Sequence, residues 1–580
     1  MKKTTLLILF FYTSFYAQDS DWSWVKSFEN VGSNSAINGC FMDNQKNIYH
    51  IGFFNSANLT IGETVIPNSS EVSTNPNIKY QDTYITKHDA DGNLLFVKPF
   101  IGSKFEGFTS VAYDNNNSFY VTGFYNGSMT IGSQTYQSQN DEVKSFMAKL
   151  DLDGNVVWSK PLNYHGYAIL KFKDNYLYLT GAHSGDTFTI DNITAPSAGY
   201  TAVVSYMDKT FTAKLDTSGN VVWLKSSTYN GSASINEPHR VGTQPRGLDI
   251  DSQGNVYVAG MFFCRSTTFG SITLNKSVTN NNANLFIAKY DSNGAVIWAS
   301  SAPTGSSAHS TVTDLAIDSN NNIYLTGQVY NSQVNFGGTT LNFIGNQGSY
   351  LVKYTTTGTI IWAKAARMAT DAQPNTSLGL NAFERLYIDN SNNIHVSGSF
   401  IKYINFGNNF VIENSNTNNN LFTVKYDSSG NPSDFYKITE AGNTREVEIL
   451  DIAENDNVIY YSGKTSDNLL TLGDFTINNP IYTPLTFFGK RDKRLNVEEH
   501  AAKDFVVYPN PSQDQLYISG LDAAENLHFT VFDLTGKRIK SLDPITTDMI
   551  SIDVKDLALG TYVLKIESGK TQKNIKFIKS

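Results

Sequence analysis

The most concentrated side-chain chemistry outside any repeat lies near the middle of the chain. Glu237, Pro238, His239 and Arg240 form one run, and Arg246 follows closely. Two guanidinium groups beside an imidazole and a carboxylate can meet an anionic or sugar ligand through charge-assisted hydrogen bonds. The same residues also suit a solvated loop. Glu106, Glu142, Asp371 and Glu384 could supply the paired carboxylates that glycoside cleavage requires, but no spacing brings any two of them together. There is no Ser nucleophile elbow, no HExxH zinc motif, no phosphate loop and no nucleotide fingerprint. No catalytic residue, metal ligand or cofactor is therefore assigned.

Other ligand-like residues fall into a register. His395 and His88 occupy positions held by Tyr or another strand residue in sister repeats, and His50 sits beside Tyr49 with no ligand partner in sequence. The turns DADGN (89–93) and DLDGN (151–155) resemble the start of a calcium loop, but they lack its full spacing and its bidentate Glu. Their equivalents read DTSGN and DSNGA, which are hairpin turns. A recurring Lys and Trp would be good ligand groups if met singly. Their recurrence points to packing first.

The elements behind these residues are strands. Residues 251–300 give the unit: DSQGNVYVAG, a variable insertion, then NLFIAKYDSNGAVIWAS. Its alternating β-branched and aromatic residues suit strands, and its Gly and Asn suit tight turns. The second strand is expected to end in Gly, three residues after Tyr49, Tyr120, Tyr178, Tyr257, Tyr324, His395 or Tyr460. The third carries Lys87, Lys149, Lys214, Lys289, Lys353, Lys425 or Lys490. Both series count seven. The fourth-strand aromatic occurs only six times, as Phe96, Trp158, Trp223, Trp298, Trp362 and Phe435. The missing copy is at the start of the chain, where DWSWVKSF (21–28) matches VVWSKPL (156–162) with Trp24 standing for Trp158.

A repeat array that takes its last strand from its beginning is closing a ring, which removes exposed sheet edges. The expected fold is all-β: a seven-bladed β-propeller over 18–490, closed by the N-terminal strand and followed by a small β-sandwich at 505–580. Residues 491–504 form a charged linker. The interval between equivalent Gly residues, 58 to 79, exceeds the roughly 40–50 of common propeller repeats. The excess lies between strands two and three, and between strand four and the next unit. In an up-and-down blade these connections emerge on one face, and the short turns on the other. Pieces such as LTIGETVI, MTIGSQTY and TTFGSITL read as small added hairpins. Variable loops on a rigid scaffold are where binding usually sits.

The ends and the charge bound the partners. Residues 1–17, MKKTTLLILFFYTSFYA, read as a secretory signal cut after Ala17. No later apolar run reaches the length of a transmembrane helix. The chain carries a net charge of −9, or −11 without Lys2 and Lys3, and the balanced segments 491–502 and 503–580 leave the acidity in 18–490. An acidic body disfavours nucleic acid and anionic membrane. Cys40 and Cys264 are far apart in the repeat register and are expected to be buried, unpaired thiols.

The repeat region resembles the bacterial SBBP-type β-propeller repeat. The tail resembles the type A C-terminal sorting domain of the type IX secretion system of Bacteroidetes. That resemblance rests on Tyr508, Pro509, Asn510 and Pro511, the turn 534–537 with Gly536, the segment 559–562 with Gly560 and Tyr562, and the terminal Lys576 and Lys579. It implies the type IX machinery and signal peptidase as partners, removal of the tail near 491–504, and an extracellular or outer-surface destination. The expected function is a non-catalytic propeller that binds a glycan or surface protein through its long-loop face. A polysaccharide hydrolase or lyase acting at the channel mouth is the second reading, and a structural surface component is the third.

Overall fold

The structure is a computed structural model that describes residues 22–580, except 31–34, 71–79, 140–141, 163, 165–166, 185–186, 197–206, 231–240, 277–282, 303–308, 331–332, 344–346, 368–381, 402, 408–409, 414–418, 438–446, 455–457, 466–468, 480–484, 493–505, 520–526, 534, 546–548 and 569–570. The expected signal segment lies outside these residues. Every described regular element is a strand. The chain divides into two compact units, 1–493 and 494–580.

In the larger unit the strands form seven repeats, whose first strands are Ser35–Met42, Glu106–Tyr113, Ala168–Lys173, Val241–Ile250, His309–Ile317, Ala382–Ile388 and Val447–Glu454. Repeat 1 shows the pattern: Ser35–Met42, Ile48–Phe54, Asp82–His88 and Leu94–Phe100 pair antiparallel in chain order. In repeat 7 the third strand, Leu485–Asp492, pairs with Trp22–Asn30 from the start of the chain. Trp24 lies opposite Lys490 just as Trp158 lies opposite Lys149. An added hairpin interrupts each repeat between strands two and three, including Thr187–Ile190 with Ile193–Pro196 and Leu469–Leu472 with Phe475–Asn478, which the sequence motif does not cover.

Two expectations need correction. The repeated Gly does not end the second strand, which runs on past it. Its reason is steric. The first strand bulges opposite it, and a Cβ on Gly260 or Gly327 would come within 2.1 or 1.9 Å of the Gln244 or Thr311 carbonyl oxygen. Phe435 is not the sixth fourth-strand aromatic, because Asp434 stands opposite Lys425 and Phe435 is one residue out of register. Phe435 packs instead with Phe400, Phe406 and Phe422.

The Trp explains that exception. Each one reaches the turn between strands three and four of the next repeat. Trp158 Nε1 donates to Thr217 O (3.3 Å), Trp223 to Ser292 O (3.0 Å), Trp298 to Thr356 O (3.0 Å) and Trp362 to Ser428 O (3.2 Å). The ring lies on that turn's Gly, where a Cβ on Gly219 would sit 2.7 Å from Trp158. Trp24 makes the same contact from repeat 7 to repeat 1, donating to Ala90 O at 3.2 Å and lying against Gly92. Repeat 7 has no such turn, since its fourth strand arrives from elsewhere in the chain, so the contact made by the other Trp residues has no counterpart there.

Tyr and Lys complete the clamp. Tyr49 Oη and Lys87 Nζ both donate to Leu152 O of repeat 2, at 2.9 and 3.1 Å, with the ammonium 5.2 Å from the ring centre. Lys289 and Lys353 are buried and donate in the same way across the junctions of repeats 4 and 5 and of repeats 5 and 6. A second set of bonds joins successive first strands. Ser110 Oγ accepts from Leu170 N (3.1 Å), Asp249 from Ile317 N (2.8 Å) and Asp314 from Leu386 N (3.0 Å). These satisfy backbone donors on strand edges that no further strand covers. Each first strand packs on the next in order, and that of repeat 7 packs on that of repeat 1.

The smaller unit holds two antiparallel sheets. One contains Val506–Tyr508, Gln515–Ser519 and Met549–Asp553. The other contains Arg538–Ile545, Leu527–Asp533, Gly560–Ser568 and Thr571–Lys579. Leu516, Ile518, Phe529, Val531, Leu564 and Phe577 form their shared core.

Candidate functional site

The sequence-selected residues scatter. Glu237, His239 and Arg240 lie outside the described residues, as does Asp371. Arg246 is exposed on the bulge of the first strand of repeat 4, and Glu384 occupies the equivalent bulge in repeat 6, accepting from Ser399 Oγ at 3.0 Å. Bulges re-aim side chains, but here they place the two residues on different repeats. Glu142 pairs with Lys144 at 2.6 Å.

The calcium-like turns use their own ligand atoms. Asp151 Oδ1 accepts from the Asp153 and Asn155 amides, and Oδ2 from the Asn155 side chain. Asp89 does the same. Burial opposes ionisation of these carboxyls, but the Asn and backbone hydrogen bonds outweigh it and hold both below their ordinary value. His395 replaces the repeat Tyr in a structural bond: its Nε2 is 3.0 Å from Asp389 Oδ2, where Tyr257 and Tyr324 donate to Asp251 and Asp318. His50 and His88 lie buried between repeats 1 and 7 with Phe28 and Phe488. Burial pushes His88 down to about 3, helped by Lys26, and holds His50 well below the ordinary imidazole value. Cys40 and Cys264 are buried and are not joined by a disulfide.

The structure does bring one pair of carboxyls together. Glu106 and Asp82 are both fully buried where repeats 1 and 2 meet, at the end that bears the long connections. Asp82 accepts from Ser69 N (2.6 Å), Ser69 Oγ (2.7 Å) and Ser70 Oγ (2.9 Å). Glu106 Oε1 accepts from Lys104 N at 3.1 Å, and its Oε2 has no described partner. Burial pushes Glu106 up to about 8 against the pull of the Lys104 amide, and the Asp82 charge adds to the rise. Neutral Glu106 is thus the main form at pH 7. Both carboxyls are sealed from solvent, so neither faces a bound substrate.

Directly beside this pair lies a set of uncharged residues that no sequence motif marks. Phe124 stands opposite Gly107 in the sheet, and its ring covers the bare backbone there, so that a Cβ on Gly107 would be 2.8 Å from it. The Gln81 amide borders the same spot and donates through Nε2 to Glu106 O at 2.8 Å. Tyr167 meets Phe124 edge-on at 6.3 Å and is 69% exposed. Tyr80 and Phe105 meet at 5.0 Å and 90°, and Gln81 bridges Phe105 through the backbone. No sequence signal marks this set, because the pairing that places Phe124 over Gly107 exists only in the fold.

In the smaller unit the two ends of the tail motif meet. Asn510 Nδ2 donates to Lys576 O (3.2 Å), and its Oδ1 accepts from Ile578 N (2.9 Å). Tyr508 stacks on Tyr517, and Tyr562 stacks on Phe577 while donating to Ala558 O at 2.9 Å. Gly536 has φ +84°, the left-handed region its turn requires. Lys579 is buried, and Lys576 is exposed on the same strand.

Comparison with known proteins supplies the rest. The model of the family described as "Secretion system C-terminal sorting domain" matches residues 506–580. The chain therefore carries a type IX secretion sorting domain, which directs export to the cell surface or extracellular space and implies interaction with the secretion machinery. No helix among the described residues is long and apolar enough to cross a membrane. An uncharacterized WD repeat-containing protein of Acanthamoeba polyphaga mimivirus is 25% identical over 515 residues, covering 75% of this chain. The chain spans about a third (35%) of that relative's length. Similar solved structures include a protein of unknown function from Dyadobacter fermentans, with TM-score 0.35, 8% identity, and coverage of 81% of this chain and 99% of that one. A puromycin hydrolase variant gives TM-score 0.34 and 10% identity, with coverage of 84% and 59%.

Proposed function

We propose that the chain is an exported, seven-bladed β-propeller of the SBBP-repeat type, closed by its N-terminal strand, that binds a glycan or surface protein through its long-loop face without catalysing a reaction. The signal peptide at 1–17 and removal of the tail near 491–504 belong to this reading, with signal peptidase and the type IX machinery as processing partners. Closure is supported by Trp24, which makes from repeat 7 to repeat 1 the contact that other Trp residues make between consecutive repeats. Binding at the long-loop face is supported chiefly by one observation. The short-turn face spends its recurring Tyr, Lys and Trp on holding neighbours together, whereas the opposite face departs from the repeat. A role for Glu237, His239, Arg240 and Arg246 in that binding stays within this proposal. Sealing of Asp82 and Glu106 from solvent favours binding over hydrolysis.

The test places the full chain in wells coated with polysaccharides, intact cell envelopes or protease-shaved envelopes, and reads retention and new reducing ends together. Retention without new reducing ends is expected. Release of reducing ends contradicts the non-catalytic reading, and absence of retention in every well contradicts binding.

A further inference from the structure

We infer that the aromatic and amide strip at the junction of repeats 1 and 2, formed by Tyr80, Gln81, Phe105, Phe124 and Tyr167, is a binding site for a neutral polysaccharide. This inference rests on the long-loop reading above and narrows it to one place and one ligand class.

Three observations carry it. The first is shape and order: Tyr167 touches Phe124, Phe124 covers Gly107, the Gln81 amide borders the same glycine, and Gln81 bridges to Phe105, which Tyr80 abuts. The Gln81 side-chain amide thus lies near the Phe124 ring, and its backbone bridges to the Tyr80–Phe105 pair. An extended sugar chain presents the same alternation, with C–H faces that pack on rings and hydroxyls that need polar partners.

The second is unused hydrogen-bonding capacity. Gln81 Nε2 is committed to Glu106 O, which fixes the amide. Its Oε1 has no donor among the described residues, and neither do the hydroxyls of Tyr80 and Tyr167 have a described partner there. A fixed acceptor beside an aromatic ring, with no donor among the described residues, is suited to a hydroxyl donor. Tyr167 itself is 69% exposed, which is unusual for so large a ring in this protein.

The third is charge. The body of the protein is acidic, yet burial pushes the Glu106 carboxyl up to about 8, so that at pH 7 it adds little charge beneath the strip. Among the described residues of the strip the one basic side chain is that of Lys104, next to Phe105. A neutral chain pays no penalty at such a site, and its binding is insensitive to salt.

The experiment is isothermal titration of the full chain with laminarin, xylan and mannan as neutral probes, and with alginate and polygalacturonate as acidic ones, at two salt concentrations. At least one neutral probe is expected to bind with little salt dependence. Tyr167→Ala and Gln81→Ala are each expected to weaken that binding about tenfold. Tyr167 is exposed, so its variant keeps the fold, which the thermal transition verifies. Neutral binding that both variants leave unchanged overturns this strip as the site and leaves the long-loop reading standing. Binding of acidic probes alone overturns the ligand class. Silence towards all five overturns the inference, and the envelope wells above then decide separately whether the face binds protein.

Discussion

The two faces of the repeat unit use similar residues to opposite ends. On the short-turn side, Phe96, Trp24, Trp158, Trp223, Trp298 and Trp362 each lie on the Gly of a neighbouring turn. On the long-connection side, Phe124 lies on Gly107 in a similar way, but within one repeat, and Tyr167 beside it opens to solvent. Recurrence separates the two. A residue type repeated at every junction holds the array together, however ligand-like it looks alone, and the place where the pattern departs is where a ligand can be read.

The largest effect should follow from breaking the short-turn side at its most exposed point. Deleting residues 22–30 removes six paired positions with Leu485–Asp492 together with the Trp24 clamp, and bares a strand edge. The variant is expected to lose its cooperative thermal transition and to aggregate, as read by circular dichroism and light scattering. A native transition in the deletion variant would show that the N-terminal strand is dispensable.

A smaller and pH-dependent effect should come from the long-connection side. Glu106 titrates at about 8 in the folded protein, above its ordinary value of 4.5. The stability it lends is fully present below 4.5 and is lost as pH rises towards 8. Glu106→Gln should remove that slope and make the variant more stable than the parent by about 2 to 4 kcal/mol at pH 8, relative to pH 4.5, in urea unfolding. Equal slopes would mean that Glu106 is not buried as described. At the junction of repeats 7 and 1 the sign reverses. His88 is depressed to about 3, so its contribution is present above pH 6.5 and fades as pH falls towards 3. His88→Phe should flatten the acid limb by about 1 to 2 kcal/mol between pH 6.5 and 4.5, and an unchanged limb would exclude His88 as its source.

Much of the repeat was legible because strands alternate with period two and the same turn residues recur. The Trp24 match to Trp158 carried the pairing of the first strand with the last. Phe435 misled because an aromatic beside Asp434 fits the pattern by type, while register is settled only by pairing with Lys425. The strip was not legible. Its residues come from the connection between strands two and three of repeat 1, the connection from repeat 1 to repeat 2, the second strand of repeat 2 and the connection to repeat 3, and are brought together only by packing. The charged run at 237–240 drew attention because charge is visible in a sequence, whereas an aromatic ring lying over a glycine is visible only in three dimensions.

The division of labour between the faces is tested most directly by measuring two variants in both assays. Trp298→Ala should lower stability by about 2 to 4 kcal/mol while leaving neutral-polysaccharide affinity within twofold at a temperature where it is folded. Tyr167→Ala should leave stability within about 0.5 kcal/mol and weaken binding about tenfold. If Trp298→Ala abolished binding in the folded state, or Tyr167→Ala cost stability and not affinity, the separation of a holding face from a binding face would be contradicted.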